Sequence, residues 1–186
     1  TDVSLFMSQN TDMIEFSLFS DTVSHKVGFK ATNVEYSRIY GVEFELMLTG
    51  SIGKVNTTLS GGYTFIYPVE VFKETNKNTD QYLKYRRKHS GNISLNVSWK
   101  KIESGLDFYV KSKILRIDSF FLTEEMGEKI LPGFPDYWKE NNTGYFLMDA
   151  TIGYKISRKL TLSFAVKNLT NTEYMGRPGD IQPQRN

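Results

Sequence analysis

The sequence predicts an all-β fold, an antiparallel up-and-down meander of about seven long strands. Three observations carry this. Apolar and polar residues alternate with period two in segment after segment, which gives each strand one apolar and one polar face. The connections run alternately long and short, so in a meander all short turns lie on one side and all long loops on the other. Tyr (11), Phe (13), Thr, Ser, Val and Ile are plentiful while alanine is scarce, which favours strands.

The first strand covers 3–18, where the apolar phase passes from Val3, Leu5 and Met7 to Ile14, Phe16 and Leu18, predicting a bulge or an emergence into water. A loop with Asp21, His25 and Lys26 follows. The second strand, about 29–48, is clearest at Val42, Phe44, Leu46 and Leu48, and 51–54 is a tight turn. The third, 55–67, sets Val55, Leu59, Tyr63, Phe65 and Tyr67 against Asn56, Thr58, Ser60 and Thr64. A long polar segment, 68–88, leads to the fourth strand. There Ile93, Leu95, Val97 and Trp99 oppose Asn92, Ser94, Asn96 and Ser98. A turn around 101–104 precedes the fifth strand, with Leu106, Phe108, Val110 and Ile114 opposite Asp107, Tyr109, Lys111 and Lys113. A second long loop, about 119–143, holds Pro132, Gly133, Pro135 and Trp138. The sixth strand puts Phe146, Met148, Ala150, Ile152, Tyr154 and Ile156 on one face and Asp149, Thr151 and Lys155 on the other. After a turn at 157–159, the seventh alternates Leu160, Leu162, Phe164 and Val166 with Thr161, Ser163, Ala165 and Lys167.

Strand length points to a membrane. About 13 residues rising ~3.3 Å each span roughly 43 Å, and a ~45° tilt projects this to about 30 Å, the hydrocarbon thickness. A soluble β-sandwich or lipocalin-like barrel also alternates, but its strands are shorter and its apolar face packs on protein. If the apolar face meets lipid, then Glu43, Glu45, Asp107, Lys111, Lys113, Asp149, Lys155 and Lys167 point into a lumen. Charges at that density fit a wetted interior or a polar plug rather than a small protein core.

Composition excludes several classes. No apolar run approaches the roughly 18 residues of a transmembrane helix, and the mean hydropathy is −0.39, a value compatible with a barrel because only alternate residues face lipid. Cysteine is absent, so there is no disulfide framework, thiolate metal site or cysteine nucleophile. The net charge of +2 is dispersed and gives no case for nucleic acid. No nucleophile–base pair, phosphate loop or metal spacing stands out, and His89 with Asp80 is too thin a case for an enzyme.

Several segments, in order, resemble TonB-dependent outer-membrane receptors. R-I-Y-G-V-E-F-E-L from Arg38 resembles that family's R-x-x-G-V-E strand start, and Y-R-R-K-H-S-G-N-I-S-L-N from Tyr85 its descent from a surface loop, with Arg87 where a proline often stands. F-L-M-D-A-T-I-G-Y-K-I from Phe146 is similar to its exit from a late loop. N-L-T-N-T-E-Y-M-G-R-P-G-D-I from Asn168 is the most specific match, in a form like that of Bacteroidetes-type receptors. The resemblance implies that 1–186 is the C-terminal part of a 22-stranded barrel in the Gram-negative outer membrane. It also implies a plug domain and a TonB box carried elsewhere, and a final strand beyond 186. Such a barrel takes up a scarce nutrient of the iron–siderophore, haem or cobalamin class through TonB. Its partners would be outer-membrane lipid, the rest of the barrel, the plug, TonB and a small-molecule ligand, with no resident cofactor.

Candidate ligand-binding residues lie in the long loops. Tyr82, Tyr85, Arg86 and Arg87 form an aromatic-basic cluster able to grip an anionic siderophore or porphyrin, and Tyr137 and Trp138 offer a second aromatic surface. The competing reading for each is loop solubility or interfacial anchoring. His25 sits in a surface-loop region where a haem or metal role is conceivable, while His89 matches a strand-start position and reads as structural. Residues 175–180 read as a structural turn in which Arg177 and Asp180 pair with each other or with the barrel. A passive porin-like or structural barrel and a soluble β-sheet binding module are the alternatives.

Overall fold

The computed structural model describes residues 1–20, 27–72, 74–124 and 126–185. The chain forms one antiparallel sheet from β1 (Asp2–Ser20), β2 (Val27–Ile52), β3 (Val55–Val71), β5 (His89–Trp99), β6 (Ile102–Ser112), β7 (Gly144–Ser157) and β8 (Leu160–Val166), in that order. The short β4 (Asn78–Tyr82) folds back on the end of β3. The predicted meander is therefore present, strand for strand. The short turns are Gly53–Lys54, Lys100–Lys101 and Arg158–Lys159, all at one end of the sheet. The second of these is tighter than the sequence implies: Glu103 and Ser104 already pair in β6.

Two further expectations change. The change of apolar phase in β1 is not a bulge, because pairing runs in one register from Asp2 opposite Glu45 to Ser20 opposite Val27. The alternative, emergence from the membrane, fits the lengths. At 26 residues β2 is about 86 Å long, and a ~45° tilt still leaves roughly 60 Å, twice the hydrocarbon thickness. The polar segment expected from residue 68 begins later, since β3 continues through Pro68 to Val71. Pro68 has no N–H to give to a ladder, and its carbonyl accepts from the Leu83 amide at 3.1 Å.

Pairing brings like residues into rows. One row reads Val3, Phe44, Tyr63, Gly91, Val110, Phe146, and another Leu48, Leu59, Leu95, Leu106, Ala150, Val166. Between them lie rows of the opposite face, such as Ser4, Glu43, Thr64, Ser90, Lys111, Tyr145. The alternation seen in single strands thus becomes two continuous faces, one apolar and one polar.

The apolar face is bare. Leu5 and Ile52 are each 79% exposed and Leu162 and Phe164 each 67%, and Val3, Leu48, Ile93, Val110, Ile152 and Ile156 are exposed with them. Leaving such side chains unburied forgoes ~1.5–3 kcal/mol each, so some fifteen forgo about 30 kcal/mol, more than a typical domain's whole stability. Water cannot be the solvent for this face. The buried apolar residues among those described are Val69, Val71, Leu83, Ile114, Ile117, Phe134, Trp138 and Met175, all at or beyond the long-loop end. A soluble sandwich would have its core on the sheet, and this sheet has none.

Aromatic residues bracket the bare face. Trp99, opposite Val55, lies at the short-turn end with the Lys100 ammonium 4.6 Å from its ring centre. Tyr67, opposite Tyr40, lies at the other end. The twelve residue steps along β3 from the Val55 row to Tyr67 span about 40 Å, or ~28 Å at a ~45° tilt, matching a lipid-facing band between two aromatic girdles.

Ile93 pairs with Gly61, midway between the girdles. Ile93→Lys is expected to destabilise the protein in lipid by roughly 2–4 kcal/mol, and Thr58→Lys on the polar face by under about 1 kcal/mol. Urea titration of protein folded into vesicles measures both, and equal effects would contradict the assignment of faces.

Candidate functional site

Beyond β6 the chain makes a small folded unit rather than the open loop expected at 119–143. A 3-10 turn (Ser119–Leu122) precedes two helices, α1 (Gly127–Ile130) and α2 (Phe134–Asn141). Helix α2 starts after Gly133, whose φ of 75° is left-handed, and carries Pro in its first turn. Its apolar residues Phe134, Tyr137 and Trp138 recur at i, i+3 and i+4, a helical stripe too short to stand out in the sequence. They pack on Ile114, Ile117, Phe121, Leu131 and Met175. The Asn142 side chain closes the unit by accepting from the Ile114 amide and donating to the Ile114 carbonyl, both at 2.9 Å.

The motif that follows β8 acquires a physical reason. Asn168 and Asn171 have φ of 51° and 53°, a left-handed conformation that Asn tolerates better than most residues. Asn168 is buried, and its amide group spans the turn: Oδ1 accepts from the Thr172 amide at 3.0 Å and Nδ2 donates to the Thr172 carbonyl at 2.8 Å. The Asn168 amide donates to Asp149 Oδ1 at 2.7 Å. This turn sends the chain back over β7, where β9 (Met175–Arg177) and β10 (Asp180–Ile181) form a hairpin. Arg177 and Asp180 are cross-strand partners in it, and the described contact of the Asp180 carboxylate is with Gln182 Nε2 at 2.7 Å.

The six residues singled out in the sequence take different places. Tyr82 packs edge-on against Tyr67, ring centres 5.6 Å apart, at the upper girdle of the apolar face. Tyr85 is exposed, with φ of 59°, and its hydroxyl donates to Asp118, which also pairs with Lys84. Arg86 is exposed beside it. Arg87 turns inward: its guanidinium donates to the Ser112 carbonyl and, at 2.9 Å, to the Met175 carbonyl, and lies 5.0 Å from the Tyr145 ring centre. It ties β5, β6, β7 and the hairpin together. Trp138 is only 9% exposed, so its surface belongs to the loop core. Tyr137 lies at the margin of that core and donates to Glu173 Oε1 at 2.8 Å. Among these residues only Tyr85 and Arg86 sit side by side on the surface.

Below the loops, on the polar face, lies a cavity of ≈ 460 Å³ that the sequence did not reveal. Tyr109 and Lys111 of β6, Tyr145 and Asp149 of β7, Lys167 after β8, and Tyr174 line it. Tyr145 and Tyr174 face each other with ring centres 4.4 Å apart. Two ammonium groups and three aromatic rings against one carboxylate, itself engaged by the Asn168 amide, suit an anionic partner with flat surfaces. Residues of two strands, the one just past the end of β8 and the tail meet only through the pairing register and the turn after β8. The alternation placed Lys111, Asp149 and Lys167 on the polar face but could not show that they converge.

Among the described residues no three His, Asp or Glu side chains are grouped to hold a metal ion. His25 lies outside the described residues. His89 accepts or donates through Nδ1 to the Tyr63 hydroxyl at 2.7 Å, and its amide donates to Ser112 Oγ at 3.0 Å, at the start of β5.

Residues 1–169 match the family model described as TonB dependent receptor-like, beta-barrel. Solved structures that resemble the chain include the siderophore receptor PiuA from Acinetobacter baumannii, 16% identical with a TM-score of 0.55. Another is the ferric-catecholate import receptor Fiu from E. coli K12 in its closed form, 17% identical with a TM-score of 0.56. Each covers 98% of this chain, while the chain spans 24% of the first and 23% of the second. At these identities the likeness concerns the fold. No curated protein matches the chain.

Trp138→Ala is expected to destabilise the loop unit by about 3–5 kcal/mol while leaving the sheet paired. Hydrogen exchange should then accelerate across 114–142 and stay slow in β5 and β6. Tyr137 supplies a pH test. Burial, then the hydrogen bond to Glu173, then that carboxylate's charge push its pKa from 10.0 up to about 12. The folded loop holds this proton more tightly than the unfolded chain, so the contribution is full below pH 10 and is lost as pH rises toward 12. Tyrosine ring-carbon NMR should find Tyr137 among the last loop tyrosines to ionise, and Glu173→Gln should lower its pKa.

Proposed function

The chain belongs to the TonB-dependent receptor family through its β-barrel, and on that premise we infer that it forms part of the wall and mouth of an active importer in the Gram-negative outer membrane. The bare apolar face meets lipid and the polar face lines the lumen. The sheet ends in β1 and β8, which must pair with further strands of the same barrel, because an unpaired edge in lipid leaves each backbone group several kcal/mol unsatisfied. A plug domain fills the lumen against the polar rows, and TonB acts through that plug. The chain acts as a transporter and not as an enzyme.

The observation that carries the ligand class is the cavity beneath the loops. Lys111 and Lys167 with Tyr109, Tyr145 and Tyr174 suit an anionic, aromatic complex entering from outside, of the iron–siderophore kind. The two structural neighbours, a siderophore receptor and a ferric-catecholate import receptor, support the same class. Tyr85 and Arg86 stand above as exposed first contacts, and the α1–α2 unit frames the mouth.

In the complete receptor, Lys111→Gln and Lys167→Gln are each expected to weaken binding of an anionic ferric siderophore by roughly 10- to 100-fold, the value of a charge-assisted contact. Tyr109→Phe should act less. Uptake of the labelled complex should stop when the proton-motive force is collapsed. Binding unchanged in both lysine variants would overturn the assignment of the cavity, and uptake indifferent to the proton-motive force would favour a passive pore. Haem and cobalamin as competitors separate the ligand classes.

A further inference from the structure

At the upper rim of the apolar face two cations stand without an acidic partner among the described residues. Arg38 belongs to the same alternate set as Tyr40, Val42 and Phe44, so it projects on the apolar side, one row above Tyr40 and Tyr67. Its guanidinium is fixed by four neutral oxygens: Asn76 Oδ1 at 2.8 Å, Gln9 Oε1 at 3.0 Å, Asn78 Oδ1 at 3.1 Å and the Tyr40 hydroxyl at 3.4 Å. Lys88 donates to the Tyr82 hydroxyl at 2.6 Å and lies 4.4 Å and 5.5 Å from the ring centres of Tyr82 and Tyr67. Among the described residues neither cation forms an ion pair, although the exposed carboxylate of Asp80 lies on the same short strand as Tyr82. Elsewhere on the long-loop side, Lys84 and Arg116 are paired with Asp118 and Glu70.

Below this rim the apolar face is notched. Gly61 and Gly91 present no side chain, and a groove of ≈ 310 Å³ opens there between Phe44, Leu46, Tyr63, Ile93, Val110 and Phe146. The groove begins at the Tyr63 row, four residues along β3 from Tyr67, about 13 Å. Positive charge over tyrosines over an apolar groove matches, in that order, the phosphate, interface and acyl chain of a lipid.

We propose that the charges of Arg38 and Lys88, whose donors are already held by the neutral groups around them, attract the phosphate of an anionic lipid of the surrounding leaflet, one of whose acyl chains lies in the groove at Gly61 and Gly91. The site is distinct from the ligand cavity, which opens on the other face of the sheet. It rests on the reading that the apolar face meets lipid. The two preorganised cations supply the recognition, since a neutral headgroup gains nothing from them and a zwitterionic one, whose ammonium offsets its phosphate, gains less.

The test is native mass spectrometry of the complete receptor in detergent, titrated with dimyristoyl phosphatidic acid or dimyristoyl phosphatidylcholine. The phosphatidic acid should be retained preferentially. Arg38→Gln and Lys88→Met should each lower its retention about five-fold, while Arg38→Lys keeps most of it. Gly91→Leu, which fills the groove, should release the lipid with both cations in place. Retention of both lipids alike, unaltered in the charge variants, overturns the site but leaves the membrane reading intact. Retention of neither lipid likewise overturns the site, while the membrane reading falls only if the receptor stays folded and soluble without detergent. Displacement of the phosphatidic acid by millimolar inorganic phosphate, with Gly91→Leu silent, identifies a free-phosphate site and overturns the lipid assignment. Lys88 projects from the strand end, so Lys88→Met keeps the test open should Arg38→Gln fail to fold.

Discussion

The rest of the structure depends on one constraint: a sheet with one continuous apolar face and no protein to cover it. About 30 kcal/mol of unrealised burial cannot be met by water. Once lipid is the solvent for that face, the remaining features follow. The strands need roughly the length seen between the Val55 row and Tyr67, and aromatic residues belong at both ends of it. The opposite rows are free to carry Glu43, Lys111 and Asp149 because they face a lumen. Pairing has to continue past β1 and β8, because backbone groups in lipid have no other partner.

The same constraint explains why the long loops fold by themselves. A sheet whose apolar face is committed to lipid offers them no core to pack on. Ile114, Ile117, Phe134, Trp138 and Met175 make one of their own, clamped by Asn142 and closed from the far side by the turn at Asn168. Arg87 sits at the junction of this unit and the strands, with its donors directed to carbonyls of two segments. The loop unit is thereby held in shape above the cavity of Tyr109, Lys111, Tyr145 and Lys167, whose walls the strand register fixes in place.

Much of this was legible in the sequence because period-two alternation is a local signal. The seven long strands, the short turns near Gly53, Lys100 and Arg158, and the inward charges all follow from neighbours two residues apart. What failed depends on distant partners. Trp138 looked like a free aromatic surface because nothing local says that Ile114 and Met175 cover it. Arg87 looked like a ligand for anions, yet the Ser112 and Met175 carbonyls take its donors. The cavity was invisible because its walls lie from Tyr109 to Tyr174 and meet only through the β6–β7 register. The change of apolar phase in β1 left a bulge and an emergence into water both open, and the unbroken pairing with β2 removes the bulge.

The central claim is that one face of this sheet meets lipid and the other does not. Residues 1–186 contain no cysteine, so in a receptor otherwise cleared of reactive thiols, single cysteines at consecutive positions 92–98 of β5 can each carry a spin label after reconstitution in vesicles. Relaxation by oxygen, which partitions into lipid, should peak at Ile93, Leu95 and Val97 and fall at Asn92, Asn96 and Ser98, in strict alternation. Uniform relaxation along the strand, or maxima at the Asn and Ser positions, would contradict the account.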